Sequence, residues 1–514
     1  MSNDHFNFEG LFIYDMANNH QGSVEHGLKI IDEISKVSNE EGVRGAIKFQ
    51  FRQIDTFIHP NFKDRTDLPH IPRFVSTRIS NEDYEIFTKR VEENKLTTMA
   101  TPFDEESVEL IKRLGIEIIK IASCSASDWP LIEKVAEAHK PVVVSTAGLS
   151  MNSIDDLVSF LELKHVEFAL MHCVALYPTP TVKLQLNQIE IFKKRYPHIT
   201  VGFSTHEPPD YLDGIKIAYA KGARVFERHV GIENNEIKLN PYSSTPQQIR
   251  RWLRAYKEAV CACGAERRPP VGHKEEESLR SLKRGVYAKE EIKKGTPLRR
   301  SVVFFAMPLQ ENQLESGYWK DCFTADKDYK RNEPISEDVI ERFTSTQEII
   351  NRIVLQIKGM LNEARIPIGN DYKIELSHHY GLERFREFGA IIIDCINRAY
   401  CKKLILMLPR QKHPYHYHKR KEETFQVLFG EMEVEIEGNR HVLRAGDSIV
   451  IHQNEWHKFQ TANGVIFEEI STTHFDDDSF YEDKFIARIP REERKTKIEN
   501  MFYNRYRSTG NYHE

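Results

Sequence analysis

The amino-acid sequence predicts an α/β protein with additional β domains: a (β/α)8 barrel, a small β-rich module and a C-terminal β-barrel. About the first 265 residues alternate short apolar runs with amphipathic helical stretches. A segment with Pro269, Pro270 and Gly272 is typical of a linker, and histidine-bearing strands follow near the C-terminus. Because 514 residues exceed one ordinary core, two to four domains are expected from the length alone. The patterns along the chain predict three, at residues 1–268, 275–342 and 345–514.

The barrel prediction depends on the number of strand-like runs. The runs are LFIYDM, GAIKFQF, TTMATPF, IEIIKIA, PVVVST, VEFALMHC, ITVGFST and ARVFERH. Eight strands alternating with helices favour a closed barrel over an open doubly wound sheet. Polar residues cluster at the carboxyl ends of these runs, where such a barrel carries its active site. They are Asp15, Lys48, Gln50, Thr101, Ser123, Ser145, His172, Ser204, His206 and His229.

Two stretches of the middle region look like copies of one element. SLKRGVYAKEEIKKGTPL and KDYKRNEPISEDVI each run from a strand into a basic turn with Gly or Asn and then into a Pro-led strand. They predict a compact β-rich module of about 70 residues. The third region opens with a helical pattern, EIINRIVLQIKGMLNEA, and ends in a charged tail, REERKTKIENMFYNRYRSTGNYHE, expected to be a solvated helix or a flexible end.

Between that helix and the tail, PYHYHKRKEETFQVLFG and AGDSIVIHQNEWHKF place three histidines and a carboxylate on neighbouring predicted strands. This donor set suits a divalent Zn, Mn, Fe or Ni ion. The alternative is a set of histidines on an exposed hairpin, which the filled spacing of both motifs disfavours. The two motifs closely resemble those of the cupin family of small β-barrels. The candidate ligands are His416, His418, Glu423 and His457.

Composition excludes some classes of function. With 72 Lys and Arg against 77 Asp and Glu, the net charge is -5, so neither nucleic acid nor an anionic membrane surface is an expected partner. The N-terminus lacks a cationic region followed by an apolar stretch, and no segment has the apolar length of a membrane span. Seven scattered cysteines form no disulfide framework. We therefore expect a cytoplasmic protein with reduced thiols.

The first two-thirds of the chain resembles the N-acetylneuraminate (sialic acid) synthase family. The matching stretches are ANNHQGS, IKFQ, ATPFD, IKIAS, DWPLI, VSTAGLS, MHCVALYPTP, VGFSTHE and FERHV. Nine motifs in the right order, between Ala17 and Val230, make the resemblance specific. It implies a phosphoenolpyruvate-condensing barrel, an antifreeze-like domain after it, and a domain-swapped homodimer in which that domain caps the partner's barrel.

This reaction sets chemical requirements. Phosphoenolpyruvate brings a phosphate and a carboxylate, so the barrel mouth must offer cations and hydroxyl donors. The candidates for phosphoenolpyruvate binding are Lys48, Thr101, Lys120, Ser123 and Ser204. A divalent metal would stabilise the charge that develops on the aldose carbonyl oxygen, and His206 and His229 match the family's metal ligands, with Mn expected. The catalytic candidates in the barrel are Asp15, Lys48, Gln50 and Tyr177. The alternatives are that Lys120 is a surface lysine and that the ring of Tyr177 simply packs.

Three positions depart from the family pattern. Asp15 stands where the family usually has Glu, Asn240 replaces an acidic residue after the eighth strand, and Met307 stands where the family has a substrate-contacting Arg. These departures favour an acceptor other than N-acetylmannosamine, with loss of activity as a lesser alternative.

The cupin motifs carry a second resemblance, to D-lyxose isomerase-type sugar isomerases. It depends on the pattern HxHxxKxE and on the final strand FEEISTTHFDDDSFYED. A metal can chelate a sugar's carbonyl and neighbouring hydroxyl groups while a base moves a proton between C1 and C2. Lys421, with a pKa lowered by burial and by the metal, and Glu469 are the candidates for this proton transfer. The alternative is that Lys421 belongs to a solvated strand edge.

Taken together, the motifs predict an enzyme that makes a 3-deoxy-2-ulosonic acid from phosphoenolpyruvate and an aldose. The cupin would convert a ketose to the aldose that the barrel consumes. The alternative for the cupin is a non-catalytic sugar-binding or regulatory module.

Overall fold

The structure is a computed structural model that describes residues 5–68, 70–266, 268–321, 323–341, 346–368 and 373–498. The chain divides into two compact units between Pro269 and Pro270, within the predicted linker. The limits of the three domains stay a prediction, and the expected start of the third, Ser345, lies outside the described residues. Among the described helices, none combines the length and the apolar character needed to cross a membrane.

In the described part of the first unit, eight parallel strands close into a ring in sequence order. The strands are β1 (Leu11–Asp15), β2 (Arg44–Phe51), β3 (Thr97–Pro102), β4 (Ile118–Ile121), β5 (Val142–Ser145), β6 (Phe168–Cys173), β7 (Thr200–Thr205) and β8 (Val225–His229). The first strand pairs with both β2 and β8. The predicted (β/α)8 barrel is therefore confirmed.

Helices alternate with these strands. They are α1 (Val24–Glu40), α2 (Ile54–Phe57), α3 (Ile71–Ser76), α4 (Asn81–Glu93), α5 (Glu105–Arg113), α6 (Trp129–Ala136), α7 (Met151–Leu163), α8 (Asn187–Arg195), α9 (Asp213–Ala220) and α10 (Pro246–Cys263). Side-chain caps define several starts: Ser23 precedes α1, and Ser80 and Thr245 form capping boxes at α4 and α10. Each cap satisfies backbone N–H groups that the first helical turn leaves unpaired.

Side-chain alternation separates the two faces of each barrel strand. On β1, Leu11 and Ile13 belong to the apolar cluster inside the barrel, and Asp15 follows on the same face. Phe12 and Tyr14 face the opposite way, into the core beneath the helices. The interior is therefore apolar toward the amino ends of the strands and polar at their carboxyl ends.

The second unit begins with α11 (His273–Leu282) and the short strands β9 (Gly285–Ala288), β10 (Val303–Ala306), β11 (Phe323–Thr324) and β12 (Ile340–Glu341). The two predicted copies pair with each other, because the backbones of Ile292 and Tyr329 exchange hydrogen bonds of 2.9 and 2.8 Å. Gly295 and Asn332 occupy their turns with φ of 82° and 66°, left-handed values that favour Gly and Asn. The identification of this module as antifreeze-like stays a prediction.

The rest of the second unit is a large curled antiparallel sheet with a helix against it. Its elements are α12 (Thr346–Glu363), β13 (Lys373–His378), β14 (Gly389–Asn397), β15 (Tyr400–Met407), β16 (Lys412–Tyr417), β17 (Glu423–Ile436), β18 (Asn439–Arg444), β19 (Ser448–Ile451), β20 (His457–Gln460), β21 (Val465–Thr472), β22 (Phe480–Tyr481), α13 (Lys484–Arg488) and β23 (Lys495–Ile498). Leu404 and Leu406 pack in one cluster with α12, whereas Ile405 and Met407 belong to a second cluster. This arrangement confirms the predicted cupin-type β-barrel.

The start of the charged tail is ordered, contrary to expectation. Residues Lys495–Ile498 form β23, which pairs with β13 from Ser377 to Ile374. This partner lies more than a hundred residues earlier in the chain, so local sequence patterns do not reveal the pairing. The rest of the tail, residues 499–514, lies outside the described residues.

Candidate functional sites

A cavity of about 610 Å³ opens at the carboxyl ends of the barrel strands. The structure brings the sequence-predicted barrel residues together there, with the exception of His172. Those that line the cavity are Asp15, Lys48, Gln50, Thr101, Lys120, Ser123, Ser145, Tyr177, Ser204, His206 and His229. His172 faces the helices instead, where its Nε2 lies 2.7 Å from the Leu184 carbonyl oxygen, because Met171 and Cys173 take the inward positions of β6.

Lys48 occupies the centre of this cavity. Its Nζ lies 2.9 Å from Asp15 Oδ2 and 2.9 Å from Glu227 Oε1, and all three side chains are buried. Burial alone would lower the pKa of Lys48, but the two carboxylates raise it above its ordinary value. Burial alone would raise the pKa of Asp15, yet Lys48 and His229 lower it on balance. The group is therefore a charged network at neutral pH.

Glu227 is a site residue that the sequence reasoning missed. Its Oε2 lies 3.3 Å from Lys120 Nζ, and its Oε1 accepts a 3.0 Å hydrogen bond from Ser204. Lys120 also donates to Ser145, and burial lowers its pKa while Glu227 offsets part of that shift. The buried position of Lys120 contradicts the surface-lysine alternative. The alternation of side chains along β8 is the sequence signal that indicates Glu227. It lies two residues before His229, so both side chains take the same face of the strand.

Two of the predicted hydroxyl ligands are placed to bind a substrate. Thr101 Oγ1 is buried and has no hydrogen-bond partner in the described part of the chain. Ser123 Oγ accepts a 3.1 Å hydrogen bond from the backbone of Ala147, so its hydroxyl proton serves as a donor, at present toward the Cys173 thiol. Gln50 donates to Asp15 Oδ2 at 3.1 Å, which orients that carboxylate.

His206 and His229 lie at the ends of adjacent strands, with ring centroids 5.3 Å apart. His206 Nδ1 donates to the Val174 carbonyl oxygen at 3.2 Å, which leaves its Nε2 as the lone-pair atom. Burial lowers the pKa of His206 to about 3, so the ring is neutral. His229 Nδ1 is buried without a hydrogen-bond partner among the described residues. Two neutral imidazoles beside Asp15 fit a divalent metal ion.

Aromatic rings cover this histidine pair. Tyr177 lies 4.3 Å from the His206 ring and Tyr242 lies 5.2 Å from the His229 ring, between centroids. Tyr177 is more than half exposed, so packing and substrate contact are both compatible with its position. Asn240 also lines the cavity, whereas Met307 belongs to the second unit and has an exposed side chain.

In the second unit, three buried histidines converge as the cupin motifs predict. The nitrogens of His416, His418 and His457 lie within 4.8 Å of one another. Each ring donates its Nδ1 proton to a backbone carbonyl: His416 to Pro414 at 3.0 Å, His457 to Glu455 at 3.1 Å, and His418 to Asp478. These bonds fix the tautomer in which all three Nε2 atoms are free to bind a metal.

Glu423 completes this donor set. Its Oε1 lies 3.4 Å from His418 Nε2, and its Oε2 lies 3.2 Å from His457 Nε2. In the described part of the chain, Glu423 Oε2 and His457 Nε2 are buried and make no hydrogen bond. Two acceptors that face each other without a proton between them are stabilised by a cation, so the residues fit a divalent metal.

Lys421 lies beside the predicted ligands rather than on a solvated edge. It is 3 % exposed, donates to Glu469 Oε1 at 2.8 Å and also contacts Glu423. Burial alone would lower its pKa, but the two carboxylates raise it above its ordinary value. Burial by itself therefore does not lower this pKa, because two flanking carboxylates outweigh the desolvation of one ammonium, and the lowering expected from a bound metal stays a prediction.

A second buried pair of a carboxylate and an amine lies near this site, and local sequence patterns do not predict it. Lys495 on β23 contacts Glu375 on β13, and both side chains are largely buried. Burial lowers the pKa of Lys495 to about 8, although Glu375 opposes the shift. Only the pairing of strands distant in sequence brings them together.

Comparisons with known proteins match the two regions of the chain that carry these sites. The model of the NeuB family matches residues 36–268, and that of the cupin domain matches residues 403–465. The N,N'-diacetyllegionaminic acid synthase of Campylobacter jejuni is 24% identical over 343 residues, covering 64% of this chain and 99% of its own length. The human N-acetylneuraminate-9-phosphate synthase is 25% identical over 301 residues, covering 56% of this chain and 80% of its own.

A solved structure matches the same region. It is the crystal structure of a Chromobacterium violaceum protein described as spore coat polysaccharide biosynthesis protein E. The two proteins share 42% sequence identity with a TM-score of 0.61, over 65% of this chain and 100% of the other.

Proposed function

Since this chain belongs to the NeuB family and carries a cupin domain, we propose that it condenses phosphoenolpyruvate with an aldose to give a 3-deoxy-2-ulosonic acid and phosphate. The observation that carries the proposal is the convergence of Lys48 and Lys120 on Glu227 within one cavity, beside His206 and His229. The names of the Campylobacter and human relatives, an N,N'-diacetyllegionaminic acid synthase and an N-acetylneuraminate-9-phosphate synthase, support it.

The proposed reaction forms one carbon–carbon bond. C3 of phosphoenolpyruvate attacks the aldehyde carbon, and the aldehyde oxygen takes up a proton to become a hydroxyl group. Water adds at C2, the bond between C2 and the phosphate oxygen breaks, and inorganic phosphate leaves. The water oxygen remains as the C2 carbonyl oxygen of the ulosonic acid, so no oxidant or reductant is needed.

The cavity residues divide between the two substrates. Lys48, Lys120, Thr101, Ser123 and Ser204 would bind the carboxylate and phosphate of phosphoenolpyruvate with cations and hydroxyl donors. Asp15, oriented by Gln50, would hold Lys48 in place.

The histidine side of the cavity would receive the aldehyde. His206 and His229 would hold a divalent metal, Mn by family resemblance, which when bound supplies positive charge to the carbonyl oxygen. Tyr177 covers these histidines and would border the acceptor.

For the cupin we propose an aldose–ketose isomerase that supplies the barrel's acceptor. His416, His418, Glu423 and His457 would hold a divalent Zn, Mn, Fe or Ni ion, and Glu469 would move the proton between C1 and C2. Lys421 bridges Glu423 and Glu469, so in this proposal it positions Glu469 and donates a proton rather than accepting one. A non-catalytic sugar-binding module is the second candidate, since the same metal site serves either role.

The decisive experiment measures phosphate release from phosphoenolpyruvate with a panel of aldoses, such as N-acetylmannosamine, mannose and lyxose, with added Mn. We expect at least one aldose to support release and chelation to abolish it. His206→Ala should lose both metal binding and turnover, whereas His198→Ala, which alters an exposed histidine, should keep both. Turnover at the wild-type rate in metal-stripped His206→Ala protein would remove the metal assignment, and no release with any aldose would remove the proposal.

The resemblance also supports a domain-swapped homodimer. Light scattering of the full chain should give twice the monomer mass of 60.0 kDa. A monomer at micromolar concentration that remains active would contradict this part of the proposal.

A further inference from the structure

The barrel cavity carries two arginines that the proposed reaction does not use. Arg52 follows β2, and Arg73 lies on α3; both line the cavity. Neither forms an ion pair with a carboxylate among the residues that the structure describes. The lining has two carboxylates, Asp15 and Glu227, and Lys48 and Lys120 already pair with them. The two guanidinium groups are therefore uncompensated positive charge facing the cavity.

Arg52 is held rigidly for binding. Its guanidinium lies 4.2 Å from the Phe74 ring centroid and 3.7 Å from that of Phe103, and it donates to Gln50 Oε1 at 3.0 Å. Its Nε is buried and has no hydrogen-bond partner in the described chain. Burial lowers the pKa of Arg52 to about 10, with a smaller contribution from Arg73, so the group stays charged at neutral pH. A fixed guanidinium with a free donor is a common receptor for an oxyanion.

Position along β2 indicates which substrate this charge serves. Lys48, Gln50 and Arg52 follow one another at every second residue, on one face of the chain. At about 3.3 Å per residue, the backbone of Arg52, just beyond β2, lies roughly 13 Å from that of Lys48. Gln50 and Asp15 stand between the two side chains, because Arg52 donates to Gln50, and Gln50 donates to Asp15, which pairs with Lys48. A three-carbon substrate held by Lys48 and Lys120 is too short to reach past both, whereas an extended acceptor sugar is long enough.

We propose that Arg52 and Arg73 form a subsite for an anionic group, a phosphate or a carboxylate, at the end of the acceptor aldose away from its aldehyde. This inference rests on the proposed condensation and defines its acceptor as an acidic sugar. The exposed position of Arg73 on α3 allows it to close on the bound anion from the solvent side.

The test compares mannose, mannose 6-phosphate and mannuronate as acceptors for the full chain at saturating phosphoenolpyruvate. We expect kcat/KM for one of the anionic sugars to exceed that for mannose at least tenfold. Arg73→Gln and Arg52→Gln should reduce that preference about 10- to 100-fold, the usual effect of losing a charged hydrogen bond to an oxyanion, while KM for phosphoenolpyruvate stays within about twofold. Which anionic sugar is preferred separates the phosphate from the carboxylate.

Arg78→Gln is the matched control, because Arg78 belongs to the same connection between β2 and α4, pairs with Asp55 and lies outside the cavity lining. This variant should keep the preference for the anionic sugar over mannose. The inference is overturned if the wild type uses mannose and the anionic sugars with equal kcat/KM. It is also overturned if the Arg52 and Arg73 variants raise KM for phosphoenolpyruvate as much as KM for the acceptor.

If no aldose supports turnover, the condensation proposal is overturned. Isothermal titration calorimetry of sugar binding then tests the anion subsite by itself. Mannose 6-phosphate or mannuronate must bind the wild type more tightly than mannose, and Arg73→Gln must remove the difference. Equal binding of charged and neutral sugars overturns the inference.

Discussion

At the scale of single residues, Glu227 determines whether two lysines can share one cavity. Lys48 and Lys120 both lie within salt-bridge distance of its carboxylate. Without it, two buried ammonium groups would face each other, and repulsion with desolvation would drive one of them to lose its proton. The carboxylate therefore keeps both cations available for an anionic substrate.

The two lysines should affect one substrate more than the other. Lys48→Ala and Lys120→Ala should each raise KM for phosphoenolpyruvate at least tenfold, because each removes a charged hydrogen bond to that substrate, and raise KM for the acceptor much less. Steady-state phosphate release measures both constants. Lys36→Ala, on the exposed face of α1, is the control and should leave both unchanged. Equal effects on the two substrates would argue for a structural role.

Lys495 should make the stability of the cupin depend on pH. Its folded-state pKa is about 8 against an ordinary value of 10.5, because burial disfavours the ammonium. Between these values the unfolded chain holds one more proton than the folded chain, so the free energy of unfolding rises as pH increases through this window. The total gain is on the order of 3 kcal/mol.

Denaturant unfolding of the full chain at pH 7 to 10.5, followed at the cupin transition, measures this gain. The double variant Lys495→Met/Glu375→Gln removes the pair and should lack that part of the rise. Parallel pH curves for the wild type and the double variant would show that the Lys495 proton is not linked to folding.

At the scale of elements, a buried ion pair joins the ends of β7 and β8. Arg228 Nη2 lies 3.2 Å from Glu207 Oε1, both side chains are 0% exposed, and the guanidinium also donates to the Glu207, Pro208 and Pro209 carbonyl oxygens. Glu207 follows His206 in the chain, and Arg228 precedes His229. The pair therefore fixes the two strand ends that carry the candidate metal ligands.

Breaking this pair should disturb stability and metal binding together. Glu207→Gln should destabilise the barrel by about 3 to 5 kcal/mol, because it leaves a buried guanidinium without its counter-charge. Manganese affinity, measured by electron paramagnetic resonance, should also fall. Lys216→Ala breaks the exposed pair with Glu258 and should cost less than about 1 kcal/mol. Unchanged manganese affinity in folded Glu207→Gln protein would separate the pair from the metal ligands.

Sequence patterns predict these elements unevenly. The barrel strands were predictable because each is a short apolar run between amphipathic helices, and polar residues such as Lys48 and His229 mark their carboxyl ends. His172 was misplaced because a terminal position alone does not say which face a side chain takes. The strand β23, which carries Lys495, was not predicted. Its four residues are charged or β-branched, and they form a strand here because they pair with β13, which is distant in sequence.

At the scale of the whole molecule, two candidate sites with different chemistry share one chain. Each has its own buried histidines and carboxylates, so variants can be made in one while the other keeps its residues. This separation allows a test of whether the cupin supplies the barrel.

Under the isomerase proposal, a ketose should replace the aldose in the barrel assay. We expect fructose or xylulose with phosphoenolpyruvate to release phosphate at a rate that His457→Gln reduces at least a hundredfold, because the variant loses a metal ligand. Release driven by the matching aldose should persist in that variant. His452→Gln, which alters an exposed histidine five residues away, is the control. Metal-bound wild type that uses the aldose but not the ketose would favour the non-catalytic module.

The pairing of β13 with β23 has a consequence for biosynthesis on the ribosome. The barrel ring closes once β8 reaches β1, so its last strand is translated by residue 229. The cupin sheet receives the partner of its β13 edge only after residue 498 has been made. Because domains generally fold as units in the order of synthesis, the barrel can complete its fold during translation, while the cupin cannot complete its sheet before residue 498. Slow translation of the segment between β8 and β23 should therefore expose the cupin, and not the barrel, to chaperones and proteases.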